Sequence, residues 1–280
     1  MQALHTHDGL PLHLRQWAAP GLARGTVLIC HGLGEHIGRY AHVAAHLNGA
    51  GWHAAGYDQR GHGASGGPRG VLPTPEALLD DLGRVVDAVR GWKSGPLVLL
   101  GHSMGGAVAA RFVADSVRPH PARWYREVTG LVLSSPALAL HMNMVQHGLL
   151  ALLALLGTVA PRITLGNGLK PAWLSHDAAV VQAYTADPLV HRRVSPALVR
   201  FMLDAGAAVH DAAPRWQVPT LLLYAGADPC VDPSGSDAFA AAAPMAVLRH
   251  QRYDGLAHEL FNEPERQRVL ADLSAWLQRL

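Results

Sequence analysis

Gly101-His102-Ser103-Met104-Gly105 sets a serine between two glycines in the pattern G-x-S-x-G. The apolar run 96–100 (PLVLL) precedes it, and 105–114 reads as a helix. A strand that turns sharply into a helix crowds the corner residue, and a glycine on either side relieves the crowding. The hydroxyl then stands clear at a helix N-terminus, where developing negative charge is favoured. That is the setting of a nucleophile. The plain alternative is a serine in a glycine-rich turn, and the strand–turn–helix order speaks against it.

A neutral serine needs a base, and the base needs an orienting group. In this architecture the chain order is serine, acid, histidine. Asp228 lies in the loop after the apolar run 219–224 (PTLLLY), where a carboxylate faces the crevice at the strand ends. His258 lies between the last predicted strand and the terminal helix. Asp232 and Asp254 are rival acids that rank below Asp228. With 18 histidines in the chain, abundance alone would make His258 a loop residue. Its order and position select it as the base. The tetrahedral oxyanion then needs two donors. Met104 N–H follows the nucleophile, and Leu33 N–H sits in the glycine-rich loop His31-Gly32-Leu33-Gly34 after an earlier strand.

Two other chemistries fit less well. His42 and His46 are spaced i, i+4 as a metal pair would be, yet no HExxH is present. No metal site is expected. Gly32-x-Gly34 between strand and helix imitates a dinucleotide fingerprint, but Gly38 falls one place too late and Glu35 would oppose a pyrophosphate. No cofactor is expected.

The elements that must position these residues alternate. Strands are predicted at 25–30, 53–57, 96–100, 128–133, 219–224 and 246–250. Helices are predicted at 39–47, 80–92, 105–114, 236–243 and 263–280. Near-continuous apolar strands separated by helices imply an α/β fold with a mostly parallel sheet covered on both faces. The rhythm breaks over 136–214, which holds no clear buried strand. This divides the chain into a core, 1–135 with 215–280, and an insertion, 136–214.

The chain has 280 residues, 49% of them hydrophobic and 16% charged, with a formal net charge of +2. That composition excludes a disordered chain, and the charge balance argues against nucleic acid as partner. Cys30 and Cys230 are too few and too far apart for a disulfide framework. Residues 1–14 lack the basic start and apolar core of a secretory leader. The longest apolar stretch, 148–160, falls short of the about 20 residues that span a bilayer. The expected location is the cytoplasm.

Five segments together, HGLGEHIGRY (31–40), GYDQRGHGASGG (56–67), GHSMGG (101–106), AGADPCVD (225–232) and the His258 segment, resemble the monoacylglycerol lipase and lysophospholipase branch of the α/β-hydrolases. Tyr184-Thr185-Ala186-Asp187-Pro188-Leu189 also fits. The resemblance covers nearly the whole chain. It implies an eight-stranded core with a helical cap after the sixth strand, which is where the insertion falls. It implies Ser103, Asp228 and His258 as triad and Leu33 and Met104 as oxyanion hole. It places Glu35, Arg39 and Tyr184 near the polar head of a substrate, and it makes 56–67 a structural loop. One departure is Phe261, which stands where related lipases often carry a second histidine.

The insertion holds Leu149, Leu152, Leu153 and Leu156 at helical spacing on a segment that is apolar all round. As part of a cap it would line an acyl site or touch a membrane surface. Each buried CH₂ contributes about 0.8 kcal/mol, so such a wall selects lipid esters. The reading is a serine hydrolase of carboxylic esters, foremost monoacylglycerols. A lysophospholipase or broad carboxylesterase is the first alternative. A serine aminopeptidase or a silent ligand-binding relative comes after it. Oligomeric state stays open.

Overall fold

The computed structural model describes residues 4–142, Gly148 and 163–280. Its centre is a seven-stranded sheet in the order β11-β10-β7-β6-β4-β5-β3. The strands are β3 (Leu14–Trp17), β4 (Thr26–Cys30), β5 (His53–Tyr57), β6 (Leu97–His102), β7 (Gly130–Ser134), β10 (Thr220–Ala225) and β11 (Leu248–Tyr253). All pairings are parallel except β3 with β5.

Alternation along each buried strand divides the core between the two faces. Leu28, Cys30, Leu97 and Leu99 point to one side; Val27, Ile29, Val98 and Leu100 point to the other. The first side is covered by α2 (Ala77–Trp92), α3 (Met104–Ala114), α5 (Pro196–Ala212) and α6 (Ser234–Ala242). The second is covered by α1 (Ala41–Gly49) and α7 (Arg266–Leu277). Leu78, Leu82, Val85, Val86 and Val89 form the buried stripe of α2 at helical spacing.

The strand count differs from what the resemblance implied: seven, not eight, form the sheet among the described residues. The first two strands, β1 (Leu4–His5) and β2 (Pro11–Leu12), pair only with each other. Pro11 has no N–H for a ladder, and its carbonyl accepts from Gly66 N–H at 2.8 Å. The hairpin is thus tied to the 58–67 loop and not to the sheet. β7, from which the insertion departs, is accordingly the fifth strand of the sheet in chain order, not the sixth.

Between β7 and β10 the described residues add nothing to that sheet. They form a small antiparallel pair, β8 (Leu165–Gly166) with β9 (Arg193–Val194), and the helices α4 (Ala178–Ala186) and α5. Ser195 caps α5 by accepting from Leu198 N–H, with Pro196 at its first position. Leu198, Phe201, Met202, Ala205 and Val209 bury its inner face in the core. The leucines Leu149, Leu152, Leu153 and Leu156 lie outside the described residues.

Phe112 on α3 is fully buried between the sheet and the rings of Trp124 (5.5 Å) and Tyr125 (5.7 Å). Phe112→Ala should therefore lower stability by about 3–5 kcal/mol, read by chemical denaturation.

Candidate active site

β6 passes into α3 with a single residue between them. That residue, Ser103, has φ 53° and ψ −121°, outside the ordinary regions for an L-residue. The turn is held on both sides: Ser103 N–H donates to Ser134 O at 3.0 Å, and Ser103 O accepts from Ala137 N–H at 3.0 Å. Gly105 is required by proximity, because a Cβ there would lie 2.2 Å from Cys30 O and 2.3 Å from His31 O. α3 can begin at the sheet only where this residue has no side chain.

Asp228 and His258 approach from the ends of β10 and β11. His258 Nδ1 lies 2.5 Å from Asp228 Oδ2, and both side chains are buried. The other oxygen, Asp228 Oδ1, accepts from the N–H groups of Cys230 (2.7 Å) and Val231 (3.2 Å). With the carboxylate oriented this way, Nδ1 carries the proton and Nε2 is left to act as base. Burial alone would lower the His258 imidazole, but the charge and hydrogen bond of Asp228 outweigh it, and the imidazole sits above its ordinary value. Burial would raise Asp228, and His258 holds it below the usual carboxylate range. The ring of His102, next to Ser103, packs 4.7 Å from the His258 ring, so nucleophile and base share one rim of the sheet. Burial, reinforced by His258, lowers His102 to about 4, which keeps it neutral. The rival acids are engaged elsewhere: Asp254 with Arg252, and Asp232 with Ser234 N–H.

Neither Leu33 N–H nor Met104 N–H donates to a protein acceptor among the described residues. Both belong to segments that border Ser103: Gly32 lies against the Ser103 side chain, and Met104 follows it in the chain. Two unpaired donors beside a strained serine are what an oxyanion hole supplies. The loop carrying Leu33 is fixed from outside. Gly34, at φ +79°, accepts from His191 N–H at 2.8 Å, and a Cβ there would meet His191 O at 2.3 Å.

Glu35, Arg39 and Tyr184 come together, but not on the cavity beside Ser103. Glu35 Oε1 accepts from Gly32 N–H (2.6 Å) and Tyr40 OH (2.7 Å); Oε2 accepts from Arg39 (2.6 Å). Arg39 also forks onto both oxygens of Glu259 at 2.6 Å each, and its guanidinium lies 4.9 Å from the centre of the Tyr184 ring. Burial would raise Glu35, yet Arg39, with His102 and His31, brings it down to about 2. Glu35, Arg39 and Glu259 thus form an internal charge network, with Tyr184 against the guanidinium. Sequence reading missed Glu259, although its place beside His258 was a signal.

The 56–67 stretch is structural, as the resemblance implied. Asp58 accepts from Ile37 and Ala64 N–H groups, and Arg60 pairs with Asp81 and Asp8. Gly32 N–H is taken by Glu35, so negative charge already occupies the place of a bound pyrophosphate. His42 and His46 are spent on Phe261 O and on Ser274 with Leu270 O. Asp228, Cys230 and His258 bring donor atoms within 4.8 Å of one another. As a metal site this set is poor: Nδ1 is engaged by Asp228, and burial, with the Asp228 charge, pushes the thiol up and keeps it protonated.

A cavity of about 330 Å³ opens at Ser103 and Leu33. Its walls are mostly apolar: Ala137, Leu140, Val194, Val199, Met202 and Val231 are among them, with Cys230 alongside. No carboxylate lines it among the described residues. Most of these walls come from residues 137–202. Val199 and Met202 stand at i, i+3 on α5, a spacing that sequence reading left unassigned.

The sequence matches the family described as "Serine aminopeptidase, S33" over residues 21–265. The chain belongs to this family. It is 35% identical over 263 residues to a monoacylglycerol lipase of Mycolicibacterium smegmatis, covering 93% of this chain and 90% of that protein. An abhydrolase domain-containing protein of Dictyostelium discoideum is 32% identical over 278 residues; the match covers 98% of this chain but only 28% of that protein's length. The crystal structure of the Paleococcus ferrophilus monoacylglycerol lipase superposes with a TM-score of 0.81 at 33% identity, covering 95% of this chain and 98% of that one. The fold is that of the α/β-hydrolases.

For a member of this family the raised His258 has a directional consequence. Below its shifted value the imidazole is protonated and cannot accept a proton. Activity on a neutral ester should therefore rise with pH through a midpoint above 6.5, the ordinary histidine value. Asp228→Asn should move that midpoint down and cut kcat by about 10⁴-fold. A pH–rate profile of both proteins checks this.

Proposed function

We propose that the protein is a serine hydrolase that cleaves monoacylglycerols to fatty acid and glycerol. The observation that carries the reading is strained Ser103 at the mouth of an apolar cavity, with the Asp228–His258 pair on the same rim, its imidazole packed against His102 beside the serine. Ser103 Oγ attacks the ester carbonyl carbon while His258 Nε2 takes its proton. The N–H groups of Leu33 and Met104 hold the oxyanion, and Asp228 stabilises the imidazolium. Collapse of the intermediate breaks the ester C–O bond, and His258 returns its proton to the departing glycerol. Water, activated by the same imidazole, then releases the fatty acid and restores Ser103.

The apolar walls favour an acyl chain, since each buried CH₂ contributes about 0.8 kcal/mol. Among the described residues no carboxylate lines the cavity to pair with a substrate ammonium, which disfavours an aminopeptidase substrate. The names of the bacterial and archaeal relatives support glycerol as the leaving group. We take 136–214 as the cap, with α5 serving as both core helix and cavity wall.

Transient contact with a lipid surface belongs to the same reading. No helix among the described residues is long and apolar enough to cross a membrane. Ile163 and Leu165, on the insertion beside the cavity, are 42% and 48% exposed. Flotation with phosphatidylcholine vesicles should recover the protein, and Ile163→Ser with Leu165→Ser should reduce the recovered fraction. Equal recovery of both forms removes the contact from this surface.

Ser103→Ala should abolish both ester hydrolysis and covalent labelling by a fluorophosphonate probe. Labelling retained at another serine would take Ser103 out of its role. Monoacylglycerols, lysophosphatidylcholines and p-nitrophenyl esters, each from acetyl to stearoyl, should show highest kcat/KM for monoacylglycerols.

A further inference from the structure

Arg39 sits between the two loops that this mechanism requires to act together. One of its contacts is Glu35, whose Oε1 accepts from Gly32 N–H, next to the Leu33 donor. The other is Glu259, the residue after His258, gripped by two parallel bonds of 2.6 Å. Arg39 is 11% exposed at its side chain, Glu35 4% and Glu259 6%, so little solvent screens the triad of charges. Tyr184 of the insertion covers the guanidinium face. A forked guanidinium fixes both distance and plane of a carboxylate, which a single-point ammonium does not.

We propose that Arg39 is a positioning residue that locks the oxyanion loop and the His258 loop in register. Resting on the hydrolase reading above, this assigns Arg39 to the alignment of catalytic groups and not to substrate recognition. Glu35 passes the constraint to Gly32 and so to Leu33 N–H. Glu259 passes it to the backbone that carries the base. The Glu259 side of the clamp is also held by the insertion, since Glu259 N–H donates to Leu174 O at 2.8 Å. A displacement of about 1 Å at either loop is enough to cost on the order of 10²-fold in rate.

The test separates alignment from head-group binding by changing the leaving group. Wild type, Arg39→Met and Arg39→Lys are compared on a monoacylglycerol and on p-nitrophenyl butyrate, which has no glycerol. The expected result for Arg39→Met is a loss of kcat by on the order of 10²-fold on both esters, with KM changed less than threefold. Arg39→Lys keeps the charge without the fork and should lose kcat by about tenfold on both. Thermal melting followed by circular dichroism identifies folded variants; if Arg39→Met does not fold, Arg39→Lys alone decides. Loss confined to the monoacylglycerol, with raised KM, would overturn the proposal in favour of a head-group contact. Undiminished kcat in the folded variants would overturn it outright while leaving the hydrolase reading intact. A wild type inactive on both esters overturns both.

Discussion

The backbone at Ser103 is the constraint from which the rest follows. Holding an L-residue at φ 53° costs about 1–3 kcal/mol, so the turn persists only if both flanking elements are anchored elsewhere. They are. β6 lies inside the sheet between β4 and β7, and α3 is buried along nearly its whole length. The steric demand at Gly105 has the same origin, because α3 starts against the carbonyls that end β4. Parallel pairing then brings the C-terminal ends of β6, β10 and β11 to one rim. Residues far apart in sequence come to the rim that holds Ser103 because their strands share a direction, and no local attraction between them is needed to explain it.

The sheet was largely legible in the sequence because strands buried on both faces read as continuous apolar runs. Six of the seven were placed, with shifts of at most three residues at their ends. β3 was missed because Leu14-Arg15-Gln16-Trp17 is an edge strand, half wet, and its polar members hide the pattern. β11 was placed too early for a related reason: Arg249, His250 and Arg252 are exposed and Gln251 half-buried at the opposite edge. The strained turn at Ser103 was legible from a short motif, and the pairing of Asp228 with His258 from a fixed chain order, without distances. The charge network was not, since Arg39 and Glu259 are 220 positions apart and neither type of residue advertises burial. Their pairing is a product of topology.

Two arginines, Arg60 buried and Arg39 half-buried, illustrate how position decides what an ion pair does. Arg60 binds Asp81 on α2 and Asp8 in the first hairpin, so it fastens a peripheral element to the core. Its partners lie away from Ser103. Arg39 spans two loops at the catalytic rim. Neither arrangement is a large source of stability, because desolvation offsets most of the Coulomb gain. What a fully bonded guanidinium supplies is a narrow range of geometry, and this has value only where its partners must hold fixed positions. A simple apolar cluster in place of Glu35, Arg39 and Glu259 would fill the same space but would leave Gly32 N–H without its acceptor.

The insertion is bound to the oxyanion loop more closely than a detachable cover would be. His191 N–H holds Gly34 O, His36 Nε2 meets Asp187 Oδ2 at 2.8 Å, and Tyr184 covers Arg39. On the other side of the site, Trp173 O and Leu174 O accept from the backbone of His258 and Glu259. The same segment therefore supports both the 31–36 loop and the loop of His258, while supplying most of the cavity wall. Moving it away as one body would break these bonds and disturb the alignment they enforce. It follows that the shape of the cavity and the position of the 31–36 loop are coupled through this segment: a substitution that reshapes the wall near β8 and β9 changes the support of Gly34 as well. Wall residues on α5 are different, because that helix is anchored in the core by Phe201, Ala205 and Val209, so Val199 and Met202 can vary without pulling on the oxyanion loop.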